Sequence, residues 1–221
     1  MPKLFSSTKF LRIKSDLKQV YDDLAPVWGK DIAKPDWGLD QLEKFVSLVK
    51  RGGGNKVLDL GCGSGSQSKQ FSQTGLKVVG LDLSLEMIRQ AKKRVPGAKF
   101  IVGDMTRMDF PKGSFDGVFA QASLLHIPKK LIPGVLGSIH RILRTNGILY
   151  LALKEGVGEK EVEEERIGMI IKRFFSFFTK VEIEDYLKNA KFQVLKVRRF
   201  LGKSPTIWLY VFARKNLKKK L

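Results

Sequence analysis

The stretch Lys56-Val-Leu-Asp-Leu-Gly-Cys-Gly-Ser-Gly65 constrains what this chain can fold into more than any other. Val57, Leu58 and Leu60 make a short apolar run, as in a strand buried on both faces. The run ends in Gly61, Gly63 and Gly65, residues suited to a tight turn or to close approach of a ligand. Ser66 is expected to cap a following helix that carries Phe71 on its inner face. Strand, glycine turn and helix in that order form a nucleotide pocket.

Spacing narrows the choice of nucleotide. The dinucleotide fingerprint needs Gly-x-Gly-x-x-Gly. Gly61 and Gly63 fit it, but Ser66 holds the last place and the third glycine comes one residue early. A carboxylate, Asp59, also sits inside the strand, where burying a charge calls for a hydrogen-bonding purpose. Val-Leu-Asp-Leu-Gly-Cys-Gly-Ser-Gly instead resembles the first motif of class I S-adenosylmethionine-dependent methyltransferases. That resemblance implies an α/β fold: a Rossmann-like, seven-stranded, mostly parallel sheet with helices on both faces and the last strand antiparallel. It also implies S-adenosyl-L-methionine as cofactor, and contacts from Asp59, Gly61, Cys62, Gly63 and Gly65.

The rest of the chain alternates as such a sheet requires. After the first strand, strands are expected at Lys77–Leu81, Lys99–Val102, Phe115–Phe119, Ile148–Leu153, Phe192–Arg198 and Thr206–Ala213. Helices are expected at Leu85–Arg94, with Ser84 as N-cap, at Lys130–Leu143, and from the capping-box sequence Thr179-Lys-Val-Glu182 to Ala190. Residues 1–55 read as a helical lead-in. Leu17, Val20, Tyr21 and Leu24 lie at helical spacing ahead of Pro26, and a second helix starts near Gly38. Residues 56–153 are then the cofactor-binding core, 154–179 an irregular insertion arching over the pocket mouth, and 180–221 a C-terminal helix and strand pair, all in one domain. The insertion's phenylalanines are expected to pack on the sheet edge and its acidic run, Glu159 to Glu165, to be solvated.

In an open α/β sheet, ligands bind beyond the carboxyl ends of the strands. Asp82, followed by Leu83, ends the second strand, and a carboxylate there can accept both ribose hydroxyls. The family resemblance implies Asp104 and Met105, in Gly103-Asp-Met105, as adenine contacts, and Gln121 after the fourth strand as a further cofactor contact. Tyr21-Asp-Asp-Leu-Ala25 resembles the family's Tyr-x-x-Ile-Ala lead-in, so Tyr21 and Trp37 are expected to wall the pocket. Methyl transfer from a sulfonium asks mainly for alignment and exclusion of water. A base is needed only for an acceptor whose proton is hard to remove, and His126, next to Ser123 on the acceptor side, is the candidate.

Charge and composition bound the partners. Forty-one basic and 22 acidic residues give a net charge of +19, spread along the chain, which admits RNA as a partner. Tyr21, Trp37, the Arg173-Phe-Phe-Ser-Phe-Phe178 segment and Trp208-Leu-Tyr-Val-Phe-Ala-Arg-Lys215 are similar to tRNA wobble-uridine methyltransferases. A small-molecule acceptor is the main expectation, with tRNA as the alternative and a non-enzymatic cofactor-binding protein behind both. Two histidines and one cysteine are too few for a structural zinc site, so no metal is expected. The lone Cys62 fits a reducing cytoplasm, and no signal peptide or membrane span is read.

Overall fold

Val57, Leu58 and Leu60 are fully buried in strand β1 (Lys56–Leu60), as a strand covered on both faces demands. The computed structural model describes residues 7–28, 38–166, 168–201 and 206–216; Trp37 lies outside them. The chain runs through α1 (Ser7–Trp28), α2 (Leu39–Arg51), β1, α3 (Ser66–Gln73), β2 (Lys77–Asp82), α4 (Leu85–Arg94), β3 (Lys99–Val102) and β4 (Phe115–Gln121). It continues through α5 (Ile132–Ile142), β5 (Leu143–Lys154), β6 (Glu159–Arg166), β7 (Met169–Ser176), α6 (Lys180–Asn189), β8 (Phe192–Leu201) and β9 (Ile207–Lys215).

Seven strands form one sheet in the order β3-β2-β1-β4-β5-β9-β8. β1 to β5 are mutually parallel, while β9 runs antiparallel to both neighbours, β5 and β8. The expected fold class is therefore the observed one. The order reverses between β1 and β4, which opens a crevice at their carboxyl ends.

Alternation along the strands splits the core. On one face Phe45 of α2 and Phe71 of α3 pack edge-on to Phe119, which stacks on Tyr150 at 4.4 Å. Gly117 leaves room for that packing, because a Cβ there would lie 2.5 Å from the Phe45 ring. On the other face Val135, Leu136 and Ile139 of α5 and Ile183 and Leu187 of α6 pack with Leu58, Leu60 and Leu149.

Three local expectations are corrected. Gly65, in the left-handed region at φ 82°, is the N-cap of α3, so Ser66 opens the helix and its hydroxyl accepts a bond from Arg94 instead. Helix α1 continues through Pro26 to Trp28; a proline so near the end removes only one late backbone donor. Strand β5 begins at Leu143, and the Asn146-Gly147 turn is an excursion within it, with Asn146 at φ 62° and the β4 register jumping from Phe115–Leu143 to Gly117–Ile148.

The insertion is a regular antiparallel hairpin, β6–β7. Its base is tied to the sheet by the Glu155–Phe178 bridge beyond β5. Toward its tip Ile171 packs with Leu24 and Ala25 of α1 and Met87 of α4. The hairpin thus crosses the carboxyl end of the sheet from the β5 side to the α4 side. Phe175 and Phe178 join the main core as expected, but the acids are not merely solvated: Glu161 pairs with Arg12 and Lys172, and Glu164 with Arg173 and Arg166.

Candidate active site

The turn after β1 is built by close approach. A Cβ on Gly61, at φ 78°, would lie 2.3 Å from the Ser123 Cβ, so no other residue fits there without moving β4's exit. Ser123 uses that proximity to donate to the Leu60 carbonyl at 2.6 Å, which commits its hydroxyl to the turn and not to an acceptor. Gly63, at φ 50°, is different: a Cβ there meets no heavy atom within 4 Å. The backbone of the turn therefore faces open space at that residue. The amide N–H groups of Gly61 and Cys62 both donate to the Leu81 carbonyl, which locks the turn onto β2. The Cys62 thiol points into a cluster with Ile88, Ala91, Val95 and Phe100, and burial pushes its pKa well above the usual thiol value.

Three aspartates surround this turn. Asp82 accepts the Gly63 amide at 2.8 Å on one oxygen and the Ser84 amide at 2.9 Å on the other. A carboxylate has about four acceptor positions, so both oxygens keep capacity beyond these two bonds. Burial raises the Asp82 pKa, against the backbone donors of Ser84, Gly63 and Leu83 that favour its charge. Asp59 is buried and accepts from Ser68 of α3 at 2.6 Å, so it ties the strand to the helix behind the turn. Burial pushes its carboxyl up to about 7, with the Ser68 bond opposing and the Asp82 charge adding to the rise. Asp104 lies on the same edge, since the Gly103 amide donates to the Asp82 carbonyl at 2.8 Å. One of its oxygens takes the Thr106 amide and hydroxyl, and the other faces the Lys14 ammonium at 2.9 Å. Burial opposes its ionisation, but Lys14 and Thr106 together hold it below the usual carboxylate range.

Helix α1 is strapped across these strand ends. Lys14 meets Asp104 beyond β3; Asp22 accepts the Ser84 hydroxyl at 2.5 Å and the Glu86 amide at the start of α4. The Trp28 carbonyl then accepts the Ser64 hydroxyl of the glycine turn at 3.0 Å. Met105 reaches the turn, its methyl 3.6 Å from where a Gly61 Cβ would be, and Leu83 is half-buried beside Asp82. Gln121 is packed under Gly38, where α2 begins.

Under the hairpin lies a second group that sequence proximity does not announce. Tyr21 and His126 are 105 residues apart, and their Oη and Nε2 are 2.7 Å apart. His126 Nδ1 is 2.7 Å from the Phe174 carbonyl, which can only accept, so Nδ1 carries the proton and Nε2 accepts from the tyrosine. Arg173 of β7 donates to the Tyr21 oxygen at 3.0 Å and is held in turn by Glu164. Burial lowers the His126 pKa to about 3, helped by the Arg173 charge. The imidazole is thus neutral with both nitrogens engaged.

A sheet that reverses at β1/β4, a glycine turn open at Gly63, and acids at the ends of β2 and β3 define a crevice for a nucleoside carrying a charged or polar tail. Comparison with known proteins agrees. Residues 57–147 match the family model described as "Methyltransferase domain". The chain carries a methyltransferase domain with the class I fold.

Among curated relatives, a demethylmenaquinone methyltransferase of Renibacterium salmoninarum is 32% identical over 143 residues, covering 62% of this chain and 58% of that protein. A sterol 24-C-methyltransferase of Pneumocystis carinii is 32% identical over 172 residues, covering 71% of this chain and 45% of that protein. The chain thus spans about half the length of these relatives. Among solved structures, Burkholderia thailandensis 1,6-didemethyltoxoflavin-N1-methyltransferase superposes with a TM-score of 0.72 at 23% identity, over 98% of this chain and 93% of that one. That likeness bears on the fold.

Two residues that sequence reasoning passed over hold the site together. Arg94, at the end of α4, donates to the Ser64 carbonyl and to the hydroxyls of Ser64 and Ser66, clamping the glycine turn from below. Asp22 braces α1 against α4; burial opposes its charge, while Lys18, Ser84 and the Glu86 amide hold its carboxyl below the ordinary range. The Asp22-Asp23 pair carries no periodic signal that separates the bracing acid from the exposed one. No described helix is long and apolar enough to cross a membrane.

Proposed function

We propose that this chain is an S-adenosyl-L-methionine-dependent methyltransferase acting on a small-molecule acceptor. The observation that carries the reading is the open face of the glycine turn at Gly63 directly beside Asp82, whose two oxygens are each only partly used. Those features fit an adenosyl group: Asp82 would take the ribose hydroxyls, Asp104 and Met105 the adenine, and the Gly61–Gly65 turn the amino-acid tail. Asp59, tied to Ser68, would brace the turn from behind, and Leu83, Gln121 and Tyr21 would complete the walls. Cys62 would contribute backbone alone. Trp37 remains a proposed wall outside the described residues. One adjustment is required, because Lys14 now faces the Asp104 oxygen that the adenine amino group would use.

When bound, the sulfonium supplies an activated methyl group, and the chain's work is then to bind, orient and exclude water. The α1 strap and the β6–β7 hairpin perform the exclusion. His126 was the candidate base; with its Nε2 accepting from Tyr21 and its pKa near 3, it supports a positioning role at neutral pH.

Small-molecule acceptors are favoured over tRNA by the names of the relatives, which concern a demethylmenaquinone and a sterol. The net charge of +19 is the remaining argument for RNA. A cytoplasmic location is part of this proposal and rests on the single cysteine. Incubation of the purified chain with methyl-labelled S-adenosylmethionine and separated small-molecule, RNA and protein fractions tests the reading. Label in the small-molecule fraction alone is expected. Label in RNA alone would replace the acceptor class, and no label in any fraction would refute the activity.

A further inference from the structure

The hydrogen bonds under the hairpin form a closed circuit. Arg173 Nη1 donates to the Tyr21 oxygen, the Tyr21 hydroxyl donates to His126 Nε2, and His126 Nδ1 donates to the carbonyl of Phe174, the residue after Arg173. Glu164 of the facing strand β6 takes the other side of the guanidinium. Three elements meet here: α1 through Tyr21, the Leu124–His126 turn after β4 through its histidine, and the hairpin through Arg173. His126 and Arg173 are only 8% and 6% exposed, so a bond lost at either is not simply exchanged for one to water. Removing one member leaves buried partners unpaired, which makes the circuit break as a unit.

Helix α1 and the hairpin also touch each other directly. Ile13 and Leu17 pack with Phe174, Leu24 and Ala25 pack with Ile171, and Arg12 pairs with Glu161. Other ties to the core hold one element at a time. Lys14 and Asp22 hold α1, while the Glu155–Phe178 bridge and the Ser176–Ile127 bond hold the hairpin. The circuit holds both at once. Its core member is close to the ligand turn, since the His126 amide donates to the Ser123 carbonyl and the Ser123 hydroxyl to the Leu60 carbonyl.

We propose that Arg173 is a positioning residue: by holding Tyr21 on His126, it fastens α1 and the β6–β7 hairpin to the core as a single cover. Lifting either element breaks the circuit and releases the other, so ligands enter and leave the crevice when both open together. That last step rests on the methyltransferase reading, which places the cofactor beneath these two elements.

Hydrogen exchange read by mass spectrometry on the ligand-free chain tests the coupling. Tyr21→Phe, a change on α1, is expected to speed exchange in the hairpin about tenfold as well as in α1. Arg173→Met, a change on the hairpin, is expected to speed exchange in α1 by a similar factor, the scale of one hydrogen bond to a charged group. The double variant is expected to exceed neither single variant, because one circuit is lost in all three. Lys172→Met, which removes an exposed pair on the same hairpin, is expected to leave α1 at the parent rate. Variants that loosen only their own element, or single effects that multiply in the double variant, would overturn the proposal. Tyr21→Phe deletes one oxygen and keeps the aromatic packing, so it reads the coupling even where Arg173→Met does not fold. Dissociation of S-adenosylhomocysteine, followed by stopped flow, is expected to quicken about tenfold in Tyr21→Phe and Arg173→Met. Unchanged dissociation would overturn the control of ligand exchange. A parent chain that binds no S-adenosylhomocysteine would refute the cofactor reading instead, on which the exchange measurement does not depend.

Discussion

Asp59 and His126 are both buried beside the crevice, and both are held in their neutral forms, with opposite consequences for stability. The carboxyl of Asp59 is raised to about 7, so between the ordinary carboxylate range and that value the folded chain holds a proton the unfolded chain has released. Its contribution to stability is full at low pH and falls as pH climbs toward 7. His126 is lowered to about 3, so the unfolded chain holds the extra proton, and this contribution is lost as pH falls from 6.5 toward 3. The two slopes oppose each other across the same window. Relative to the parent, Asp59→Asn is expected to gain stability steadily from pH 4 to 7, and His126→Gln to lose its relative stability as pH rises from 3 to 6.5. Each slope is at most about 1.4 kcal/mol per pH unit. Urea unfolding at several pH values reads the slopes directly, and parallel profiles for parent and variants would show that neither group is held neutral. These two residues also mark what a sequence offers at this scale. That Asp59 needs a hydrogen-bonding partner was legible, because a carboxylate inside an apolar strand demands one, and Ser68 supplies it. The His126 arrangement was not, because its partners Tyr21 and Arg173 come from elements 105 residues away from His126 and 152 residues away from Tyr21 respectively.

Helix α1 and the hairpin are the elements that turn an open crevice into a covered one. Beside its apolar contacts with α4 and the hairpin, α1 is held over the strand ends by polar ties: Lys14 to Asp104, Asp22 to Ser84, Tyr21 to His126, and the Trp28 carbonyl to Ser64. Lys14 occupies the Asp104 oxygen assigned to adenine, so freeing that oxygen should help the ligand. Lys14→Met is expected to tighten S-adenosylhomocysteine binding about two- to fivefold, the scale of a partly exposed ion pair. Weaker binding would mean that Lys14 helps to hold the ligand. The core strands were readable because their apolar runs are bounded by glycine and charge, and the capping box at Thr179–Glu182 forms as its sequence suggests. The hairpin was not, because β6 is Glu-Lys-Glu-Val-Glu-Glu-Glu-Arg, in which Val162 is the lone apolar side chain. Its strand character comes from β7, which supplies the apolar face and the Arg173 and Lys172 charges that pair the acids. Such a strand is specified by its partner and has no period of its own.

For the whole molecule, the sheet order decides where chemistry can occur. With β1 and β4 adjacent and their helices leaving to opposite faces, the carboxyl ends of β1, β2 and β3 deliver the Gly61–Gly65 turn, Asp82 and Asp104 to one edge. The parallel arrangement of the core strands was legible from alternation alone, the antiparallel last strand followed only from family resemblance, and its place between β5 and β8 was not read from the sequence. The central claim is that this edge holds an adenosyl ligand through Asp82. Calorimetric titration of the parent chain and Asp82→Ala with S-adenosylhomocysteine tests it most directly. The expected result is one ligand bound per parent chain and a loss of about 1.5–3 kcal/mol in the variant, the cost of removing hydrogen bonds to a charged group. A parent chain that binds no ligand, or a variant whose affinity matches the parent, would contradict it.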